Sequence, residues 1–329
     1  MVMFWKGKKV LVTGGAGFIG SHLVKILVKK GAFVRVADNL SRGRIENMSD
    51  ILNQIEFMKV DLTKEENCFN ACKGIYIVFH LAASVGGIEY LKKANVGGCV
   101  PSILMNTHML EASVRYGVER FLFTSSACVY HAYYEGRETP VHLKEEDAYP
   151  ALPHTTYGWA KLLGEIQCEA YAKDYGLRTS VTRLFSVYGE NENLDPRWSH
   201  VVPSLIRKAI RYPKEPFVVF GDGKQTRAFL YVEDAVKALL LVVEKYLKPD
   251  PLNIGSEKWI KIEDLIEKIV NLSGKKIEIK YDLTKPTGAR GYCANYQKAR
   301  EILGWEPKVS LEDGLKRTYG WAKRELEHE

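Results

Sequence analysis

No apolar run in this chain approaches the roughly 20 residues needed to cross a bilayer. The opening MVMFW gives way at once to KGKK, too short an apolar stretch for a secretory leader. Together these point to a cytoplasmic protein with no membrane partner. Cysteine is sparse and scattered, at Cys68, Cys72, Cys99, Cys128, Cys168 and Cys293. The scatter is not a disulfide framework, and although Cys68 and Cys72 are four apart, no further Cys or His pair completes a zinc site, so no metal is expected. Reduced thiols fit the same compartment. Blocks of five like charges, internal repeats and low-complexity segments are also missing. A net charge of +7 therefore reads as affinity for an anionic small molecule rather than for nucleic acid.

What is present is a chain of 329 residues, 46% apolar, enough for one large or two modest domains. Short β-branched runs predict strands over 9–13, 33–37, 55–60, 75–80, 120–124 and 177–183. Amphipathic stretches such as SHLVKILVKKG lie between them, that one ending at Gly31, a helix-stop residue. Strands alternating with helices predict an α/β fold, a doubly wound parallel sheet of the Rossmann type. After residue 183 the pattern loosens, with Pro196, Pro203, Pro213 and Pro216 in a loop-rich stretch. A strand over 228–232 and a helix over 233–246 look like a return to the sheet. The expected division is a sheet domain of residues 1–182 plus about 229–250, and a smaller interleaved α/β domain of 183–228 plus 251–329.

Gly14, Gly17 and Gly20 lie in VLVTGGAGFIGSHL, between the first strand and the first helix. A dinucleotide site needs such glycines: the backbone must turn tightly, approach a pyrophosphate and let the helix pack on the sheet. The helix N-terminus then offers N–H groups to the phosphates. Asp38 ends the second strand, 18 residues beyond Gly20. A carboxylate there accepts the ribose hydroxyls of NAD and repels the extra phosphate of NADP, although Arg42 and Arg44 follow it. Asp61, after the third strand, is placed either to meet the adenine or to cap a helix.

Tyr157 and Lys161, in YGWAK, are four apart and share a helix face. A lysine cation and a nicotinamide cation would lower the tyrosine pKa from its usual ~10, making the phenolate a base for a hydroxyl proton. Ser126, at the end of a strand, could hold the same oxygen. TGGAGFIG, Asp38, HLAA (80–83), SSACVY and YGWAK resemble the extended short-chain dehydrogenases/reductases, the NAD-dependent sugar epimerase/dehydratase family. The resemblance spans essentially the whole chain. It implies a Ser126–Tyr157–Lys161 triad, bound NAD and a GDP- or UDP-sugar substrate. It extends the cofactor site to Phe18, Ile19, Asn39, Leu40, Arg42, Leu62, Leu81, Ala82 and Ala83. It places Ser84, Gly86, Gly87, Ser186, Val201, Gln225, Arg227 and Arg290 at the substrate. The family's usual homodimer implies that the apolar faces around 100–116 and 156–175 pair as a four-helix bundle.

Cys128 helps to choose within the family. Its dehydratases and decarboxylases carry an acidic residue there, whereas this chain is similar to the GDP-mannose 3,5-epimerases (SSACIY) and GDP-L-fucose synthases (SSCIY). In both groups that cysteine is an acid/base at sugar carbons 3 and 5. SHVVP (199–203) is similar to a fucose synthase motif whose histidine is the second acid/base, which implies that role for His200. A ketone at carbon 4 acidifies the neighbouring C–H bonds, and inverting one needs a base on one ring face and an acid on the other. Thiols and imidazoles both exchange protons near neutral pH. Asp38 favours internally recycled NAD, hence an epimerase. DNLSRGR resembles the UDP-galactose 4-epimerases, which keeps a UDP-hexose 4-epimerase open. A non-catalytic NAD-sensing regulator is the alternative of another class, against which Tyr157 and Lys161 both stand.

Overall fold

Residues 2–86, 95–131, 141–285 and 291–327 are described by a computed structural model. Among them a main sheet of seven strands forms: β1 (Lys9–Thr13), β2 (Phe33–Asp38), β3 (Ile55–Lys59), β4 (Ile77–His80), β5 (Arg120–Ser126), β6 (Arg178–Leu184) and β7 (Leu252–Ile254). Their order is β7–β6–β5–β4–β1–β2–β3, and every neighbouring pair is parallel. The fold is the expected Rossmann-like α/β sheet. Strand order reverses at β1, which lies between β4 and β2. Connections leave the two sides of that point in opposite directions, which opens a crevice at the strands' carboxyl ends.

Period-two alternation splits each central strand between two cores. Val10, Val12, Val34 and Val36 pack on one face with helices α1 (Phe18–Lys29) and α6 (Val232–Lys245). Leu11, Val78, Phe121 and Phe123 pack on the other with α2 (Glu65–Cys72), α3 (Asn95–Arg115) and α4 (Thr156–Tyr175). All four residues of β4 are buried. Burial on both faces is why these strands read as near-continuous apolar runs.

Two expectations need correction, and one strand was not expected. The strand expected over 228–232 is two short strands, Thr226–Ala228 and Leu230–Tyr231, which pair with Trp259–Lys261 and Val187–Tyr188 respectively. The loop expected around Pro203 contains helix α5 (Val201–Arg211), with Pro203 at its third residue. Proline is tolerated there because first-turn N–H groups have no helical partner to lose. β7 carries no sequence signal because it is three residues long and its partners, β6, Leu143, Glu145 and Tyr130, are all distant in sequence. Helices α7 (Ile262–Ser273), α8 (Gln297–Leu303) and α9 (Leu311–Glu327) complete the C-terminal part. No helix among the described residues is long and apolar enough to cross a membrane.

Candidate active site

A cleft of about 1280 Å³ opens at the β1/β4 switch point. Its floor is the glycine loop and the start of α1. Gly14 has φ +66°, and a Cβ there would lie 3.0 Å from the Ala82 backbone nitrogen. A Cβ on Gly20 would lie 2.2 Å from the Gly14 carbonyl oxygen. Any side chain would fill this cradle, which is the space a pyrophosphate requires. Asp38 accepts hydrogen bonds from the backbone N–H groups of Ala16 (3.1 Å) and Leu40 (2.8 Å). Burial raises its pKa, and those two bonds pull the other way. Across the switch point, the Thr13 hydroxyl accepts from the N–H groups of Leu81 and Ala82 and meets His80 Nδ1 at 2.8 Å. His80 is fully buried and its pKa falls to about 3 through desolvation, so it is a neutral strut between β1 and β4. The cradle and the accepting Asp38 carboxylate fit NAD.

The residues of the expected triad come from two elements. β5 runs into a short 3-10 turn at Ala127–Val129, capped by Ser126, whose hydroxyl accepts from the Cys128 N–H at 3.2 Å. α4 starts at Thr156 behind the N-cap Thr155, whose hydroxyl accepts from the Gly158 N–H. Gly158 is needed because a Cβ would sit 2.2 Å from the Cys128 carbonyl oxygen. This close approach seats Tyr157 beside the β5 turn. Lys161 is buried and donates to the Thr124 carbonyl at 2.7 Å, and its ammonium lies 5.7 Å from the Tyr157 ring centre. Desolvation lowers its pKa to about 8. The tyrosine differs from the sequence expectation. In the protein alone its phenol pKa is raised, by burial first and by the Cys128 charge second, with the Ser126 hydrogen bond opposing. The sequence expected the neighbouring lysine cation to lower this pKa, and in the folded protein burial outweighs every lowering influence.

The facing wall comes from the segment before α5 and from the strands after it. His200 is the N-cap residue of α5, yet its ring does not cap the helix. Its Nδ1 lies 2.7 Å from Oε1 of Glu192, a residue the sequence reading missed. Desolvation by the cleft walls pulls the imidazole pKa down, but the hydrogen bond and charge of Glu192 outweigh this, and the net direction is up. Arg42 reaches across the cleft to the Val85 carbonyl, with its guanidinium 3.5 Å from the Trp198 ring centre. Ser186 (φ +34°), Gln225 and Arg227 line the same wall.

Every described residue expected at the site lines this cleft, with one exception. Leu40 adopts φ +59°, donates its N–H to Asp38 and packs its side chain on the core. Gly87 and Arg290 lie outside the described residues. Asp61 lines the cleft too, while its Oδ1 accepts from the Thr63 N–H and hydroxyl; α2 begins behind Lys64, so Asp61 is not its cap. Glu192, Trp198 and His80 are the additions. Only His80 carried a local signal, as the head of HLAA. Cys68 and Cys72 are buried with pKa values pushed up to about 12 by desolvation, as befits packing thiols.

A parallel sheet with a glycine cradle and a strand-end carboxylate beside its switch point, and the expected Ser/Tyr/Lys trio in the same cleft, is the arrangement of an NAD-dependent enzyme of the extended short-chain dehydrogenase/reductase class. The chain belongs to the NAD dependent epimerase/dehydratase family, whose model matches residues 10–255. It is 32% identical to the GDP-mannose 3,5-epimerase of Arabidopsis thaliana over 99% of this chain and 85% of that one. Among solved structures it is similar to the UDP-glucose 4-epimerase of Thermotoga maritima, with a TM-score of 0.87, 33% identity, and 97% and 99% of the two chains covered. It is also similar to the UDP-glucuronic acid 4-epimerase of Bacillus cereus solved with UDP-glucuronic acid and NAD, with a TM-score of 0.84, 28% identity, and 96% and 99% covered. The cofactor of this family is NAD.

Proposed function

We propose that this protein is a GDP-mannose 3,5-epimerase-like enzyme that oxidises carbon 4 of a nucleotide sugar transiently and exchanges a proton at carbon 3 or 5. The observation that supports it most is that Cys128 and His200 line the same cleft as Ser126, Tyr157 and Lys161. A hydride site alone needs neither a thiol nor an imidazole. NAD, when bound in the cradle, supplies an acceptor and donor of hydride at carbon 4. Ser126 positions the carbon-4 oxygen, and Tyr157 takes and returns its proton. Cys128 and His200 then remove and deliver a carbon-bound proton from opposite ring faces. Arg227 and Gln225 hold the nucleotide diphosphate end, with Arg290 implied beside them.

The division of labour follows the chain. Residues 1–182 with about 229–250 bind the cofactor, and 183–228 with 251–329 bind the nucleotide sugar. His200, Gln225 and Arg227 in the second part and the cradle in the first support this. The described cysteines form no disulfide, which supports a cytoplasmic setting. A homodimer is supported by exposed apolar stripes: Val96, Val100 and Leu104 on α3, and Trp159, Leu163 and Ile166 on α4. Their spacing sets each trio on one helix face.

A UDP-hexose 4-epimerase is the second reading, favoured by the DNLSRGR segment at the ribose and by the likeness to the Thermotoga enzyme. Incubation with GDP-mannose and with UDP-glucose in D₂O, followed by NMR, separates the two. We expect deuterium at carbon 3 or 5, lost in Cys128→Ala while reduction of NAD at carbon 4 persists. Inversion at carbon 4 without solvent deuterium would sink the 3,5-epimerase reading in favour of the second.

A further inference from the structure

Glu192 is 4% exposed. Its Oε1 meets His200 Nδ1 at 2.7 Å, and its Oε2 is buried with no hydrogen-bond partner among the described residues. A buried carboxylate with a single partner is destabilising, and burial accordingly raises its pKa while the hydrogen bond and charge of His200 lower it. Packing alone would favour an apolar or amide side chain here. Its partner is not buried in the same way: the His200 side chain is 53% exposed and lines the cleft. The ring is also withheld from the usual task of an N-cap side chain, since no cap hydrogen bond forms at α5. One end of the pair is thus held inside the protein and the other is presented to the substrate space.

The surrounding charges are engaged elsewhere. On the same segment, Asp195 pairs with Arg197, and Glu190 accepts from the Tyr231 hydroxyl. From α1, His22 meets the Glu190 carbonyl. From the loop after β2, Arg42 stacks on Trp198, and on α5 Lys208 donates to the Val218 carbonyl. The charge acting on His200 is that of Glu192.

We propose that Glu192 is the positioning residue for His200: its carboxylate holds the Nδ1–H, fixes the tautomer, and leaves Nε2 as the nitrogen that exchanges protons with substrate. A carboxylate can only accept, so an ionised Glu192 obliges Nδ1 to carry the proton. Nε2 is then a lone-pair base when the ring is neutral and an N–H acid when it is charged. The charge of Glu192 keeps the acid form to higher pH than an isolated imidazole would. This inference rests on the assignment of His200 as an acid/base.

The test uses the isosteric Glu192→Gln, which keeps a hydrogen-bond acceptor and removes the charge. In protein labelled at histidine, the His200 resonance should titrate at lower pH in Glu192→Gln than in the native chain. With GDP-mannose or UDP-glucose in D₂O, kcat for deuterium incorporation should fall at least about tenfold with KM unchanged. Glu192→Asp should recover part of the loss. An unchanged His200 titration, or a raised KM with native kcat, overturns the proposal. Failure of the underlying assignment looks different. Full exchange in His200→Ala removes the catalytic use of the pair even if the titration shifts, whereas lost exchange in His200→Ala beside native exchange in Glu192→Gln rejects Glu192 alone.

Discussion

Lys161 shows how a functional side chain opposes stability at the residue scale. A shift from 10.5 to about 8 corresponds to a cost on the order of 3 kcal/mol for keeping it charged when folded. Below about pH 8 both folded and unfolded chains hold the proton, and the cost is present in full. Between about 8 and 10.5 the folded chain releases the proton first, so this contribution to stability rises with pH. Lys161→Met should therefore unfold at higher temperature than the native chain at pH 7. The gain should be about 1–2 kcal/mol once the lost bond to the Thr124 carbonyl is discounted. The gap should narrow towards pH 10. Melting curves at pH 7, 8.5 and 10 check this, and a gap independent of pH would contradict it. The same scale shows what the sequence conceals. Ser126, Tyr157 and Lys161 stand in short motifs that specify their neighbours. Glu192 stands in a loop eight residues from His200, where no periodicity brings two side chains together.

At the scale of elements, α4 must be held against β5 and β6 for Tyr157 and Lys161 to face Ser126. Glu165 does this from the same helix, one turn beyond Lys161. It accepts from Arg183 of β6 through both oxygens, at 3.0 and 2.7 Å, and from the Ser125 hydroxyl of β5. Both partners are almost fully buried. Breaking a buried pair on one side leaves an uncompensated charge, so Glu165→Leu should cost about 3–5 kcal/mol by urea unfolding. The double variant Glu165→Leu/Arg183→Met should recover most of that loss, since apolar replacement of the whole pair is often near neutral. Equal destabilisation of the single and double variants would contradict this. The helix and strands themselves were legible from β-branched runs and caps, to within one or two residues. β7 and α5 were not, because the first is only three residues long and the second begins beside a proline.

At the scale of the whole molecule, the cleft joins parts of the chain far apart in sequence. Arg42, after β2, lies across Val85 and over Trp198, which ties the cofactor loop to the wall that carries His200. The exposed stripes on α3 and α4 lie on the outer side of the sheet from this cleft's α5 wall and belong to helices that already pack on one another. Burying them between two copies would remove apolar surface from water. Sedimentation at micromolar concentration should give twice the monomer mass for the native chain. The paired substitutions Trp159→Asp and Leu163→Asp should give the monomer. A native monomer would refute the dimer.

The sequence by itself determined the fold class and the cradle, and it set Asp38 at a strand end and Ser126, Tyr157 and Lys161 in the motifs of the expected triad. Each depends on neighbours a few residues apart: a turn that admits no Cβ, a strand that alternates faces, a helix that repeats every four residues. Tertiary structure alone decided that burial raises the Tyr157 pKa, and that Glu192 holds His200. Both outcomes depend on burial and on the direction of a side chain across a fold. Desolvation and hydrogen-bond geometry arise only when segments distant in sequence close around the same space.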